Sequence, residues 1–203
     1  MHIDAKSMET SDLYHLMTQT VVPRPIAWVL TDSGDHNYNL APFSYFTPVS
    51  SHPPLLMISV GKKPNGEPKD TIRNALAQKK LVIHIASVGE AAAVTATAAT
   101  LEHGDSEVTQ NQLELVEFQD FELPRLQNCA VAFGCTLYQT QEIGEAPQTL
   151  MFAEIDKIYV NPQVVDDAQT RLKIDALALD PLSRLGGGEY ATLERTFTIT
   201  RPE

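Results

Sequence analysis

Residues 21–74 read VVPRPIAWVLTDSGDHNYNLAPFSYFTPVSSHPPLLMISVGKKPNGEPKDTIRN, and this stretch decides the fold. Its apolar runs at 26–31 (IAWVLT) and 55–60 (LLMISV) have strand length and are rich in branched and aromatic side chains. After the first run, Asp32-Ser-Gly-Asp35 marks a turn. Residues 38–46 (YNLAPFSYF) read as a second, partly irregular strand. Pro42 cannot donate to a ladder, so it belongs at an edge, bulge or loop. Strand alternation would set Phe43 and Tyr45 on one face and Ser44 and Phe46 on the other. Pro23 and Pro25 bar helix around Arg24. The loop at 61–68 is rich in Lys, Gly and Pro, and Asp70 or Thr71 can cap a helix over 72–78.

Outward from this stretch, residues 1–20 form a lead-in in which Ser11-Asp12 caps a helical turn. Residues 81–86 (LVIHIA) make a further strand. Residues 90–101 (EAAAVTATAATL) read as an alanine-rich helix packed close to its neighbours, and the polar 102–112 as a surface loop or broken helix. Residues 90–112 are therefore a helical insertion. Segments 131–143 and 151–160 pair as a hairpin with its turn near 144–147, and 175–179 forms a short helix. The tail ends in an alternating segment from Phe197. Strands outnumber helices, and most links are too short for helical crossovers. The expectation is an antiparallel barrel or sandwich with inserted helices, one domain over residues 1–203.

Composition narrows the function. With 43% hydrophobic and 20% charged residues among 203, the chain can bury one substantial core. A net charge of −11 excludes a general nucleic-acid binder, though not a phosphorylated small ligand held by one or two local cations. No window has the length of a membrane span and the N-terminus carries no signal-like apolar core, so a soluble, cytoplasmic protein is expected. Cys129 and Cys135 read as free thiols; on one continuous strand their spacing would place them on one face, beyond disulfide reach. The histidines are dispersed, with no zinc-like spacing, and no metal site is expected.

Three features carry chemistry. Lys62, Lys63 and Lys69 stand around Gly61 and Gly66 ahead of a helix whose first turn holds Thr71, a natural anion site. A solvated basic loop with a plain cap fits the same residues. Asn39 to Phe46 offers small residues and three aromatics to a flat ligand, or simply core. Arg184-Leu-Gly-Gly-Gly188 permits close approach to a ligand or partner, or is a turn.

Four segments in series, Arg24-Pro-Ile-Ala-Trp-Val, Asn39-Leu-Ala-Pro-Phe-Ser-Tyr-Phe, His52-Pro-Pro-Leu and Lys69-Asp-Thr-Ile-Arg-Asn74, resemble the flavin reductase-like family of FMN-binding split-barrel proteins. The likeness spans roughly residues 20–190, from the order and spacing of those segments. It implies a mainly β fold, a six-stranded antiparallel Greek-key split barrel with inserted helices, a homodimer and one FMN per subunit. It implies that the backbone of Asn39, Leu40, Ala41, Pro42, Phe43 and Ser44 lines the isoalloxazine and ribityl chain. Ser59, Lys69 and Thr71 would meet the phosphate beside Asp70. Trp28 and Asn74 would be neighbours, and Arg184 and Gly187 would approach the flavin, from the same subunit or its partner. The implied reaction is hydride transfer from NADH or NADPH to flavin, passed on to a small-molecule acceptor. Many short-chain members carry an Asp-His pair where this chain has Pro147-Gln148-Thr149, and glutamine does not titrate near neutrality. A non-catalytic FMN-binding or storage protein is the alternative, and a ligand-free dimeric scaffold a third.

Overall fold

The computed structural model describes residues 1–145, 147–166, 171–200 and 202. In chain order the elements are α1 (Thr10–Thr20), β1 (Arg24–Pro25), β2 (Ala27–Asp32), β3 (Tyr38–Phe43), β4 (Phe46–Ser51), β5 (Pro54–Val60), α2 (Asp70–Gln78) and β6 (Lys80–Ile85). They continue with α3 (Ala91–Ala96), α4 (Glu107–Gln110), β7 (Leu115–Val116), β8 (Arg125–Leu126), β9 (Val131–Ile143), β10 (Gln148–Val160), α5 (Ala176–Leu179), β11 (Ser183–Arg184) and β12 (Tyr190–Ala191). One seven-stranded antiparallel sheet, ordered β3-β2-β6-β9-β10-β5-β4, dominates. A small β1-β11-β12 sheet and the β7-β8 pair accompany it.

The expected count of six strands is exceeded because the run at 38–46 breaks. Its chain turns at Ser44-Tyr45, and Phe46 starts a strand of its own. β3 and β4 are the two edges of the seven-stranded sheet, yet only Ser44 and Tyr45 separate them in sequence. The sheet must therefore coil until its edges approach at this corner, where the Ser59 N–H donates to the Tyr45 carbonyl at 2.8 Å. The turn also overrides strict alternation: Phe43 and Phe46 both point into the same core cluster. Pro42 sits in edge strand β3, where no outer partner needs its missing N–H.

Two cores flank the strands. The inner one gathers Val29, Phe43, Phe46, Ile58, Val60, Ile83, Cys135 and Met151, with Ile72 and Ala75 of α2 packed against them. The outer one gathers Trp28, Leu30, Leu40, Val82, Val94, Phe118, Leu123, Leu126 and Cys129. β2 and β6 are thus buried on both faces, which is why residues 26–31 and 81–86 read as apolar runs interrupted only by Thr31 and His84. Cys129 lies just before β9 and Cys135 within it, in opposite clusters; both thiols are free, and burial pushes both well up from the ordinary range.

The hairpin β9-β10 is longer than the sequence suggested, its second strand starting at Gln148. The turn read near 144–147 includes Ala146, which lies outside the described residues. α3 ends at Ala96, short of the helix read over 90–101. Residues 192–200 form no strand, and Phe197 and Ile199 are exposed. No described helix is long and apolar enough to cross a membrane.

His84 shows what burial on both faces costs a polar residue. Its Nδ1 donates to the Trp28 carbonyl at 3.0 Å, and its Nε2 accepts the Leu126 N–H at 2.9 Å. A carbonyl can only accept, so the neutral Nδ1–H tautomer is fixed. Burial lowers its pKa from 6.5 to about 4, with the Trp28 carbonyl opposing and the Arg125 charge assisting. Between those values the unfolded imidazole is protonated and the folded one is not. Stability should therefore be complete above pH 6.5 and fall toward pH 4 by about 1.4 kcal/mol per pH unit, about 3 kcal/mol in all. Urea unfolding across that range checks this: the His84→Phe variant should lose about one proton's worth of the slope.

Candidate functional site

Two cavities follow one another along residues 39–46, the first beside β3 and the second just beyond it. The first, of about 90 Å³, is lined by Asn39, Ala41 and Pro42 of β3, Lys63 of the loop, and Lys69, Asp70 and Thr71 at the start of α2. Thr97 to Leu101 and Glu107 form its opposite wall. The second, of about 460 Å³, lies at the Ser44-Tyr45 corner, with Met17, Val21, Pro25, Phe46, Met57 and Leu150 giving it an apolar lining and Arg24 and Ser59 polar points.

The start of α2 is built to receive something. Lys69 occupies the N-cap position, and no side chain caps the first-turn N–H groups. The Lys69 ammonium makes no ion pair among the described residues; it lies 6.0 Å above the Phe43 ring. Lys63, by contrast, is spent on Asp70 at 2.7 Å. The Asp70 carboxyl is pushed up by burial but more than compensated by hydrogen bonds and charge from Lys63 and His103, so it stays below the usual carboxylate range. Thr71 is buried and its hydroxyl oxygen accepts from Asn39 Nδ2 at 3.1 Å. Its own proton then has no acceptor among the described side chains and can serve an anion in the cavity. Asn39 Nδ2 also reaches Thr31 Oγ1 at 3.3 Å, and Asn74 Nδ2 bridges Thr31 Oγ1 (3.1 Å) and Ser33 Oγ (2.9 Å). Asn74 is thus a strut holding α2 to β2.

Glu107 was not legible as a site residue, since 102–112 reads as polar surface. It is buried, and its Oε2 accepts the Leu40 N–H at 2.9 Å on the free edge of β3. Burial raises its pKa, with the Leu40 hydrogen bond pulling the other way and Asp70 adding to the rise. Arg24, which entered the sequence reading only as the start of a motif, lines the second cavity. Its guanidinium donates to the carbonyls of Thr18, Val21 (2.8 Å) and Leu185 (2.7 Å) and to Ser44 Oγ at 3.3 Å.

The structure divides the remaining candidates. Asn39, Ala41, Pro42, Lys69, Asp70 and Thr71 meet at the first cavity, and Ser44 and Ser59 at the second. Trp28, Leu40 and Phe43 point their side chains into the cores. Arg184 pairs across from Arg24 in the small sheet, bonds back to the Glu189 (3.2 Å) and Gly187 carbonyls, and stacks on Tyr190 at 4.7 Å. It so closes its own loop, in which Gly187 has φ +58° and which lines a further cavity of about 550 Å³ with Gln19 and Val22. The Gln148 side chain stands over Gly61, where an added Cβ would lie 3.2 Å from its Oε1.

A coiled antiparallel sheet carries, along residues 39–46, one cavity lined by Lys63, Lys69, Asp70 and Glu107 and a second that is largely apolar. Residues 17–176 match the flavin reductase like domain, and the chain belongs to that family. YwrF of Bacillus subtilis (strain 168) is 35% identical over 98% of this chain and 97% of its own length. Among solved structures, nitrilotriacetate monooxygenase component B from Bacillus cereus superposes with a TM-score of 0.90 at 31% identity, covering 98% of both chains. The 2-nitrobenzoate 2-nitroreductase NbaA of Pseudomonas fluorescens superposes with a TM-score of 0.88 at 25% identity, covering 100% of this chain and 96% of its own.

Proposed function

We propose that the protein binds FMN along β3 and acts as an FMN-dependent oxidoreductase, in the first instance an NAD(P)H:flavin reductase working as a homodimer. The observation that carries this is the pair of cavities that follow one another along residues 39–46. A phosphate dianion suits the first, where Lys69 has no ion-pair partner among the described residues, the first N–H groups of α2 have no side-chain cap and the Thr71 hydroxyl has a proton to give. A flat apolar ring suits the second, beside the Ser44-Tyr45 corner. From Asn39 in the first cavity to Ser44 in the second is about 17 Å of extended chain at 3.3 Å per residue, the scale of a mononucleotide flavin laid along it. Bound there, FMN would supply the hydride-accepting ring; the protein would position it and exclude water. The likeness to a monooxygenase component and a nitroreductase supports redox chemistry passed to a second acceptor.

Gln148 is the specific observation behind a second reading, FMN binding without turnover, because it cannot shuttle a proton. Titration with FMN followed by anaerobic addition of NADH and then NADPH separates the two. The reductase reading expects a yellow complex that bleaches with one of them. A complex that bleaches only with dithionite would favour storage, and no complex at all would favour a scaffold.

A further inference from the structure

The two sides of the small cavity at α2 differ in origin. β3 and α2 belong to the barrel, whereas the opposite wall, Thr97 to Leu101, comes from the insertion. That wall is fastened at both ends. The buried Trp28 indole donates to Thr97 Oγ1 at 2.9 Å, and Thr97 is itself fully buried. At the far end His103 Nδ1 meets Asp70 Oδ1 at 2.8 Å, and Asn37 Nδ2 donates to the Gly104 carbonyl. Ser106 Oγ donates to the Tyr38 carbonyl at 2.6 Å, and Glu107 accepts from Leu40 as described. Ser106 and Glu107 thus take the place of a neighbouring strand along the β3 edge.

We propose that residues 97–107 are a fixed wall that limits the cavity to a terminal phosphate monoester, and so select a mononucleotide flavin over a dinucleotide flavin. The inference rests on the functional reading above. A dinucleotide differs at the phosphate end alone, where one oxygen bridges to a second phosphate carrying adenosine. The cavity of about 90 Å³ falls far short of the roughly 300–1,000 Å³ that encloses a whole small ligand, so one end group is all it takes. Charge acts in the same direction: a phosphate monoester approaches a dianion at neutral pH, whereas the inner phosphate of a dinucleotide is a singly charged diester and gains less from the Lys69 ammonium.

The test is fluorescence-quenching titration of the full chain with FMN, FAD and riboflavin. The wild type should bind FMN at least about 100-fold more tightly than FAD, the discrimination that steric exclusion and unpaired charge provide. The double variant His103→Ala/Ser106→Ala unfastens the wall without altering a residue that lines the cavity. It should raise FAD affinity about tenfold while holding FMN within about threefold. Leu101→Gly, which thins the wall without touching its fastenings, should act in the same sense. Wild-type affinity for FAD within about threefold of that for FMN overturns the inference, as does a wild-type ratio preserved in folded variants. FMN bound no more tightly than riboflavin would instead overturn the phosphate placement, and with it the reading of function.

Discussion

Lys69→Met is expected to weaken FMN binding by about 10- to 100-fold and to leave riboflavin binding within about threefold of wild type. The size follows from what the ammonium is free to do. Hydrogen bonds to charged groups contribute about 1.5–3 kcal/mol, and Lys69 has no carboxylate partner among the described residues to give up before meeting a phosphate. Methionine keeps the length of the side chain over Phe43 and leaves the backbone at the start of α2 unchanged. Calorimetric titration at fixed ionic strength with both ligands is the measurement. An equal loss for FMN and riboflavin would show that Lys69 supports the fold rather than the phosphate. Lys63→Met makes a useful contrast, since that ammonium already serves Asp70 and its removal should act through the position of the loop.

Arg24→Ala should cost about 3–5 kcal/mol of folding stability, a large part of the 5–15 kcal/mol typical of a domain. Three carbonyls, of Thr18, Val21 and Leu185, would lose their donor, and Ser44 its neighbour at the corner where the sheet edges meet. These acceptors belong to the end of α1, the chain after it and the strand-to-glycine segment near the C-terminus. One guanidinium therefore ties the lead-in and the tail to the barrel. Arg24→Lys should recover only part of the loss, because one ammonium cannot reach acceptors on several sides. Urea unfolding measures the cost, and limited proteolysis should show cleavage within residues 1–20 in the variant. A loss below about 1 kcal/mol would mean that water replaces the guanidinium at these carbonyls and that the tie is not structural.

The barrel strands were legible because their signals are local. Residues 26–31, 55–60 and 81–86 are apolar runs of strand length, and the observed strands lie within a residue or so of each. The helix at Asp70–Gln78 followed from the loop before it and the polar first turn. The break at Ser44-Tyr45 was not legible, since nothing in YNLAPFSYF marks one peptide as the corner. It exists because the sheet must close, which is a property of all its strands together. Glu107 was hidden for the same reason. A glutamate in a polar stretch looks solvated until the β3 edge is seen to need an acceptor for the Leu40 N–H. Trp28 belonged to a motif but not to a cavity; its indole works one step removed, through Thr97.

Composition, strand periodicity and the serial motifs of residues 21–74 by themselves determined a mainly β protein of the flavin reductase-like family, with cations gathered ahead of α2. Those properties are written in neighbouring residues and survive without knowing who packs against whom. The tertiary structure alone decided that Lys63 has a carboxylate partner and Lys69 none among the described residues, that Arg24 ties α1 and Leu185 to the barrel, and that Thr97 to Leu101 and Glu107 wall the cavity at α2. Each depends on contacts between segments far apart in sequence, and whether a charge is free, paired or buried is set by those contacts.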